Sequence, residues 1–253
     1  MIGVDKIREL AKLMGMRPWQ LEKHYLQSLV LSTLSDLPLV FKGGTYLWLF
    51  HGLSRFSEDL DFTTTGHLRE DLPESISTAI NLFGYSNELK VLKNGTSGIS
   101  ARYMINGPLY TNLQNRCVIY VEISARERLV LPKVPLKLDF PQYDIPVKML
   151  LGMNLSEVGA EKVRAILTRN KARDIYDLNF LIERKNILFE IGLINEKLSF
   201  YKKTFESEFF LEKLESRGEV FGRELKSIIF GDIPPFEAVL KRVENWLDSG
   251  KQI

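Results

Sequence analysis

One segment of the 253-residue chain concentrates the residue types that phosphate chemistry needs. KGGTYLWLFHGLSRFSEDLDF, residues 42 to 62, opens on a glycine pair and closes on Asp59 and Asp61. In an extended strand alternate side chains share a face, so the two carboxylates project together while Leu60 and Phe62 enter a core on the other side. Such a pair repels itself unless a cation lies between the two groups, and hard oxygen donors at that spacing suit Mg²⁺ or Mn²⁺. Gly43 and Gly44, followed by Thr45, remove side-chain bulk ahead of a helix. There the backbone N–H groups, the helix dipole and the Thr45 hydroxyl can receive the phosphates of an NTP. Lys42, Arg55 and Ser57, in the same segment, are expected to add nucleotide contacts. A turn at the glycines and a solvated acidic loop would explain either motif alone; their order, helix then loop then strand, favours the chemistry.

A third acid, Glu122, lies in CVIYVEIS, residues 117 to 124. Alternation puts Ile119, Val121 and Ile123 on one face and Glu122 on the other. An acid in so apolar a strand wants a partner, either the same metal ion or Arg126 or Arg128 at a sheet edge. Both readings are open at this point.

These residues need elements to hold them. Apolar residues recur at helical spacing from Val4 to Leu37, with an interruption at residues 15 to 18, so two helices come first. A short apolar run at 39 to 41 leads to the glycine pair and a helix reaching Leu53. Residues 60 to 64 alternate as a strand, Asp71 to Phe83 reads as a helix, and 88 to 93, 99 to 105 and 117 to 124 read as strands. Beyond Pro146 the period is helical throughout, including Val147 to Leu151, Val158 to Leu167 and Ile175 to Ile182. The expected architecture is α+β: a sheet-bearing part, residues 1 to 145, followed by a helical part, residues 146 to 253.

Composition sets limits. Hydrophobic residues make up 45% and charged residues 26%, as in ordinary globular proteins, and 34 Lys and Arg against 32 Asp and Glu leave a net charge of +2. So small a surplus excludes bulk electrostatic binding to nucleic acid or membrane; such contact must be local. The single Cys117 cannot form an internal disulfide, no apolar run approaches the roughly 18 residues that span a bilayer, and MIGVDKIREL is charged where a signal peptide is apolar. A cytoplasmic protein is expected. P-loop, dinucleotide, serine-hydrolase and HExxH motifs are absent, and His24, His51 and His67 are too scattered for a zinc site.

The order G-G-[ST], helix, D-x-D, then an apolar-acid-apolar strand resembles the polymerase-β-type nucleotidyltransferase superfamily. RFSEDLDF (55 to 62), MRPWQLEK (16 to 23) and KARDIYDL (171 to 178) narrow this to a resemblance to the AbiEii family, the nucleotidyltransferase toxins of toxin–antitoxin systems. The likeness runs over about residues 4 to 185, with His24 standing where an acid is frequent. It implies a mixed sheet flanked by helices, an NTP donor, Mg²⁺ and a cognate antitoxin. It also implies transfer to an acceptor hydroxyl, which in some members belongs to tRNA.

The resemblance further implies a second functional segment at Lys162, Asp174 and Asp177. Lys162 lies off the stripe of Val163, Ile166 and Leu167 and is expected to be free to neutralise the β- and γ-phosphates. Arg173, one turn before Asp177, is expected to hold that carboxylate and contribute to the nucleotide site, although ordinary intrahelical pairing fits the pattern equally. Lys162, Arg164, Arg169, Lys171 and Arg173 oppose the acids around residues 58 to 61. Two competitors remain: transfer to a small molecule such as an antibiotic, and a noncatalytic DNA-binding module with residues 4 to 30 as a helix-turn-helix.

Overall fold

The computed structural model describes residues 2–249, and the chain divides into two compact units. The first runs to Phe50 and includes Ser57–Arg128 and Lys133–Gly152. Its elements are α1 (Val4–Leu13), α2 (Pro18–Thr33), β1 (Leu39–Lys42), α3 (Gly43–His51), β2 (Asp59–Thr64), α4 (Leu72–Leu82), β3 (Asn87–Gly95), β4 (Gly98–Ile105), β5 (Cys117–Ser124), β6 (Val134–Leu138) and β7 (Lys148–Gly152). The strands form one sheet in the order β3-β4-β5-β2-β1-β7-β6. It is mixed: β2 runs parallel to β5 and β1 parallel to β7, while the other neighbours are antiparallel.

Gly15, at φ +64°, and Pro18, at the first helical position, separate α1 from α2 where the helical period breaks. Helix α2 packs on β5 and α4, and Gln20 through Ser32 are all buried. Its buried polar side chains each make at least one hydrogen bond. Glu22 accepts the Leu109 N–H at 2.5 Å, His24 shares a 2.7 Å hydrogen bond with Tyr143, and Ser28 donates to the His24 carbonyl. A helix covered on every side cannot enter a DNA groove, which overturns the helix-turn-helix alternative for residues 4 to 30.

Two strands differ from expectation. β6 was not among the expected strands, although Val134, Leu136 and Leu138 alternate with Pro135 and Lys137, and residues 147 to 151, expected to be helical, are largely β7. Lys, Met and Leu favour helix, and a short apolar run cannot be assigned by period alone; pairing with β1 and β6 decides it. The division expected after residue 145 therefore falls short of the first unit's last strand.

The second unit comprises His51–Phe56, Leu129–Pro132 and the chain from Met153 onward. It contains α5 (Leu155–Thr168), α6 (Ala172–Lys185), α7 (Ile191–Ser199), α8 (Ser207–Glu215), α9 (Gly218–Leu225) and α10 (Phe236–Ser249). Helix α5 packs on α6, α7 and α8, and α6 packs on α9 and α10. The two short excursions are stitched in by hydrogen bonds. The Phe56 N–H donates to Ile228 at 2.6 Å and the Phe230 N–H to Ser54 at 3.0 Å. Fully buried Glu157 accepts the N–H groups of Val130 and Leu131 at 3.0 and 2.9 Å and pairs with Lys197. No helix among the described residues is long and apolar enough to cross a membrane.

His24 carries a pH dependence. Burial against Trp48, Phe140 and Tyr143 lowers its pKa from 6.5 to about 4. A folded-state pKa below the unfolded one means that the unfolded chain binds the extra proton, so stability present above pH 6.5 is lost as pH falls toward 4. His24 should contribute a loss of about 2 kcal/mol between pH 7 and pH 5. Urea unfolding at both pH values checks this: His24→Phe should lose about that much less than wild type, and equal losses would contradict it.

Candidate active site

Strand β1 runs directly into α3, and the turn requires Gly43 for two reasons. Its φ is +79°, in the left-handed region, and a Cβ there would meet Asp61 Oδ2 at 2.5 Å. Asp61 is the register partner of Lys42, so its carboxylate lies beside the first residue of α3, where unpaired N–H groups and the helix dipole favour an anion. Thr45 is fully buried and its hydroxyl donates to the Asp59 carbonyl at 2.5 Å. It ties α3 to β2, a correction to the expectation that this hydroxyl receives phosphate.

In β2, Leu60 and Phe62 are buried while Asp59 and Asp61 are half-buried on the opposite face. Asp61 is also the register partner of Glu122 on parallel β5, and paired residues of neighbouring strands point to the same face. Three carboxylates therefore share one face of the sheet. Glu122 accepts a 2.6 Å hydrogen bond from Ser100, its partner on β4, and pairs with neither Arg126 nor Arg128. The donor set, all carboxylate oxygen, fits a hard divalent cation. Among the described residues no three acidic, His or Cys side chains already converge on one point, so an ion would have to draw the carboxylates together. Lys42 is buried with its Nζ 3.7 Å from Glu127, and the Ser57 carbonyl accepts from Gln27 at 3.3 Å.

The second unit gathers Arg55, Lys162, Asp174 and Asp177 into one buried ion network. Arg55, 2% exposed, donates from Nε and Nη2 to the two oxygens of Asp177 at 2.6 and 2.7 Å. Lys162 Nζ lies 2.6 Å from Asp177 and 3.2 Å from Asp174. Arg169 makes two 2.8 Å bonds to Asp174. Burial by itself would raise both carboxyl pKa values. Lys162 and Arg169 more than offset it at Asp174, as do Arg55 and Lys162 at Asp177, so both stay well below the usual carboxylate range.

Several expectations change here. Lys162 is not a free cation but is held by two aspartates, and Arg55 is buried rather than open to nucleotide. The partner of Asp177 is Arg55, not Arg173, which is half-buried on the same helix. The run of five cations is no open basic surface, because Lys162 and Arg169 are engaged by Asp174 and Asp177, and Arg164 stacks over Tyr201, donating to its hydroxyl.

Residues 24–242 match the family described as nucleotidyl transferase AbiEii toxin, type IV toxin–antitoxin system. The chain belongs to the AbiEii family. It is therefore a nucleotidyltransferase of the toxin type. JHP933 from Helicobacter pylori has a similar fold, with TM-score 0.60, 24% identity and coverage of 91% of both chains. So does MenT4, a nucleotidyltransferase toxin from Mycobacterium tuberculosis, with TM-score 0.67, 20% identity and coverage of 98% of this chain and 90% of that one. No curated protein matches the chain.

The AbiEii segments thus carry both clusters, but the pairings inside them lie beyond spacing rules. Arg55 and Asp177 stand 122 positions apart, and Glu157 and Lys197 stand 40 apart. Gln27 and Ser100, which bond next to the carboxylates, looked like ordinary helix and strand residues. The only available hint was an excess of polar residues on α2 beyond what one solvated face needs. Asp177→Ala would leave Arg55 and Lys162 buried without their shared counterion, and should destabilise the protein by about 3–5 kcal/mol. Arg169→Ala, which removes a side chain 48% exposed, should cost at most about 1 kcal/mol. Thermal melts check the pair: similar midpoints for the two variants would contradict the network as drawn.

Proposed function

We propose that this chain transfers a nucleotide from an NTP to an acceptor hydroxyl of RNA, with tRNA the favoured acceptor, using Mg²⁺ or Mn²⁺ held by Asp59, Asp61 and Glu122. The observation that carries this reading is the shared face of β2 and β5, with Asp61 in register with Glu122 and pressed against Gly43. Three carboxylates beside a glycine turn at a helix start offer a cation site and a phosphate site together. A bound divalent ion would lower the pKa of an acceptor hydroxyl and offset charge on departing pyrophosphate.

The chain's own residues do the positioning. Gly43 and Gly44 carry no side chains, so a phosphate could approach the first N–H groups of α3. Ser100 fixes the Glu122 carboxylate, and Thr45 fixes the backbone carrying Asp59. The acceptor hydroxyl would give up its proton to solvent as its oxygen bonds to the α-phosphorus and the bond from that phosphorus to the bridging oxygen breaks, releasing pyrophosphate. Family membership supports a cognate antitoxin that restrains this activity, and a cytoplasmic setting supplies both NTP and tRNA.

Incubation with each labelled NTP, Mg²⁺ and total cellular RNA tests the assignment. A labelled band of tRNA size is expected, falling by at least about 10²-fold in Asp59→Ala and Asp61→Ala. Undiminished labelling in either variant would overturn the metal assignment, and label in a small molecule instead of RNA would overturn the acceptor.

A further inference from the structure

Helix α2 does more than fill the first unit. Lys23 and Gln27 stand four residues apart on one face of it and reach the segment that leads into β2. Gln27, fully buried, donates from Nε2 to the carbonyls of Ser57 at 3.3 Å and Glu58 at 2.8 Å. Two carbonyl acceptors on one side require the amide nitrogen to face them, which fixes the amide's orientation. Lys23 Nζ lies 3.0 Å from the Glu58 carboxylate. The next carbonyl, that of Asp59, takes the Thr45 hydroxyl. Three successive carbonyls, from Ser57 to Asp59, are thus held by side chains of two helices.

The other end of the Gln27 amide shows that this arrangement is not chosen for packing alone. Its Oε1 is buried without a hydrogen-bond partner. An orphaned buried acceptor is unfavourable, and an apolar side chain of the same length would avoid it. What such a side chain could not do is hold the two peptides before Asp59. A peptide free to rotate at Ser57 or Glu58 would swing the Asp59 Cα–Cβ bond away from the face it shares with Asp61 and Glu122.

We propose that Gln27, assisted by Lys23, is a positioning residue for Asp59: it aims that carboxylate so that a divalent cation can be bound. The proposal rests on Asp59 being a metal ligand, as argued above. Neither Gln27 nor Lys23 touches a reacting atom in this role; Gln27 acts through the backbone before Asp59 and Lys23 through the Glu58 carboxylate.

Mn²⁺ titration of the full chain, followed by electron paramagnetic resonance of the free ion, tests this without any turnover. The variants are Gln27→Met, Gln27→Glu, Lys23→Met and Asp59→Ala, each checked for folding by circular dichroism. Met keeps the length and helix propensity of Gln but donates nothing, while Glu keeps its shape and sets a carboxylate against two carbonyls. Wild type should bind Mn²⁺ in a manner lost in Asp59→Ala. Gln27→Met should bind at least about tenfold more weakly, as for loss of a group that orients a ligand. Gln27→Glu should be weaker still, and Lys23→Met, which does not alter the amide, should shift in the same direction. Asp59-dependent binding that is unchanged in folded Gln27→Met, or in Lys23→Met if Gln27→Met does not fold, overturns the positioning role alone. Absence of any Asp59-dependent binding in wild type overturns the metal reading beneath it.

Discussion

Asp61 Oδ2 lies so close to the Gly43 α-carbon that no side chain fits between them, and this crowding organises the first unit. A carboxylate there lies beside the start of α3, in register with Lys42 on β1. The register then brings like charges together, with Asp59 two residues away on the same strand and Glu122 opposite on β5. Repulsion among them must be offset; the hydrogen bond from Ser100 to Glu122 does part of this, and on the reading proposed above a cation would do the rest. Much of the surrounding sequence follows from that requirement. Glycine is needed at the turn, Thr45 faces inward to brace β2, and α2 presents polar side chains to a buried surface.

The second unit solves the opposite problem. Asp174 and Asp177 are buried among apolar helices, where bare carboxylates would be strongly disfavoured. Arg55, Lys162 and Arg169 surround them, and the bidentate Arg55–Asp177 pair has the geometry in which a buried ion pair repays its desolvation. Such a network sets the positions of its members more narrowly than apolar packing would. It also links residues that are remote in sequence, with Arg55 only four positions before Asp59.

Much of the candidate site was legible because its signals are local. Alternation of Asp59 and Asp61 against Leu60 and Phe62, and the glycine pair ahead of a helix, need only neighbouring residues. The same was true of α1 through β5. What escaped depends on tertiary partners. β7 has helix-forming residues and becomes a strand only because β1 and β6 flank it. Lys162 lies off the narrow apolar stripe of its helix yet is buried, because Asp174 and Asp177 on α6 engage its ammonium. Thr45 and Arg55 belong to the right segment but turn inward, and a side chain's direction is set by what it can bond to in three dimensions.

On the reading proposed above, the face shared by Asp59, Asp61 and Glu122 would bind a divalent cation. Anomalous diffraction from crystals grown with Mn²⁺ and a nonhydrolysable NTP addresses it directly. A manganese peak about 2 Å from carboxylate oxygens of Asp59 and Asp61 is the result this account predicts. Bound nucleotide with no manganese at those carboxylates, or with manganese only elsewhere, would contradict it.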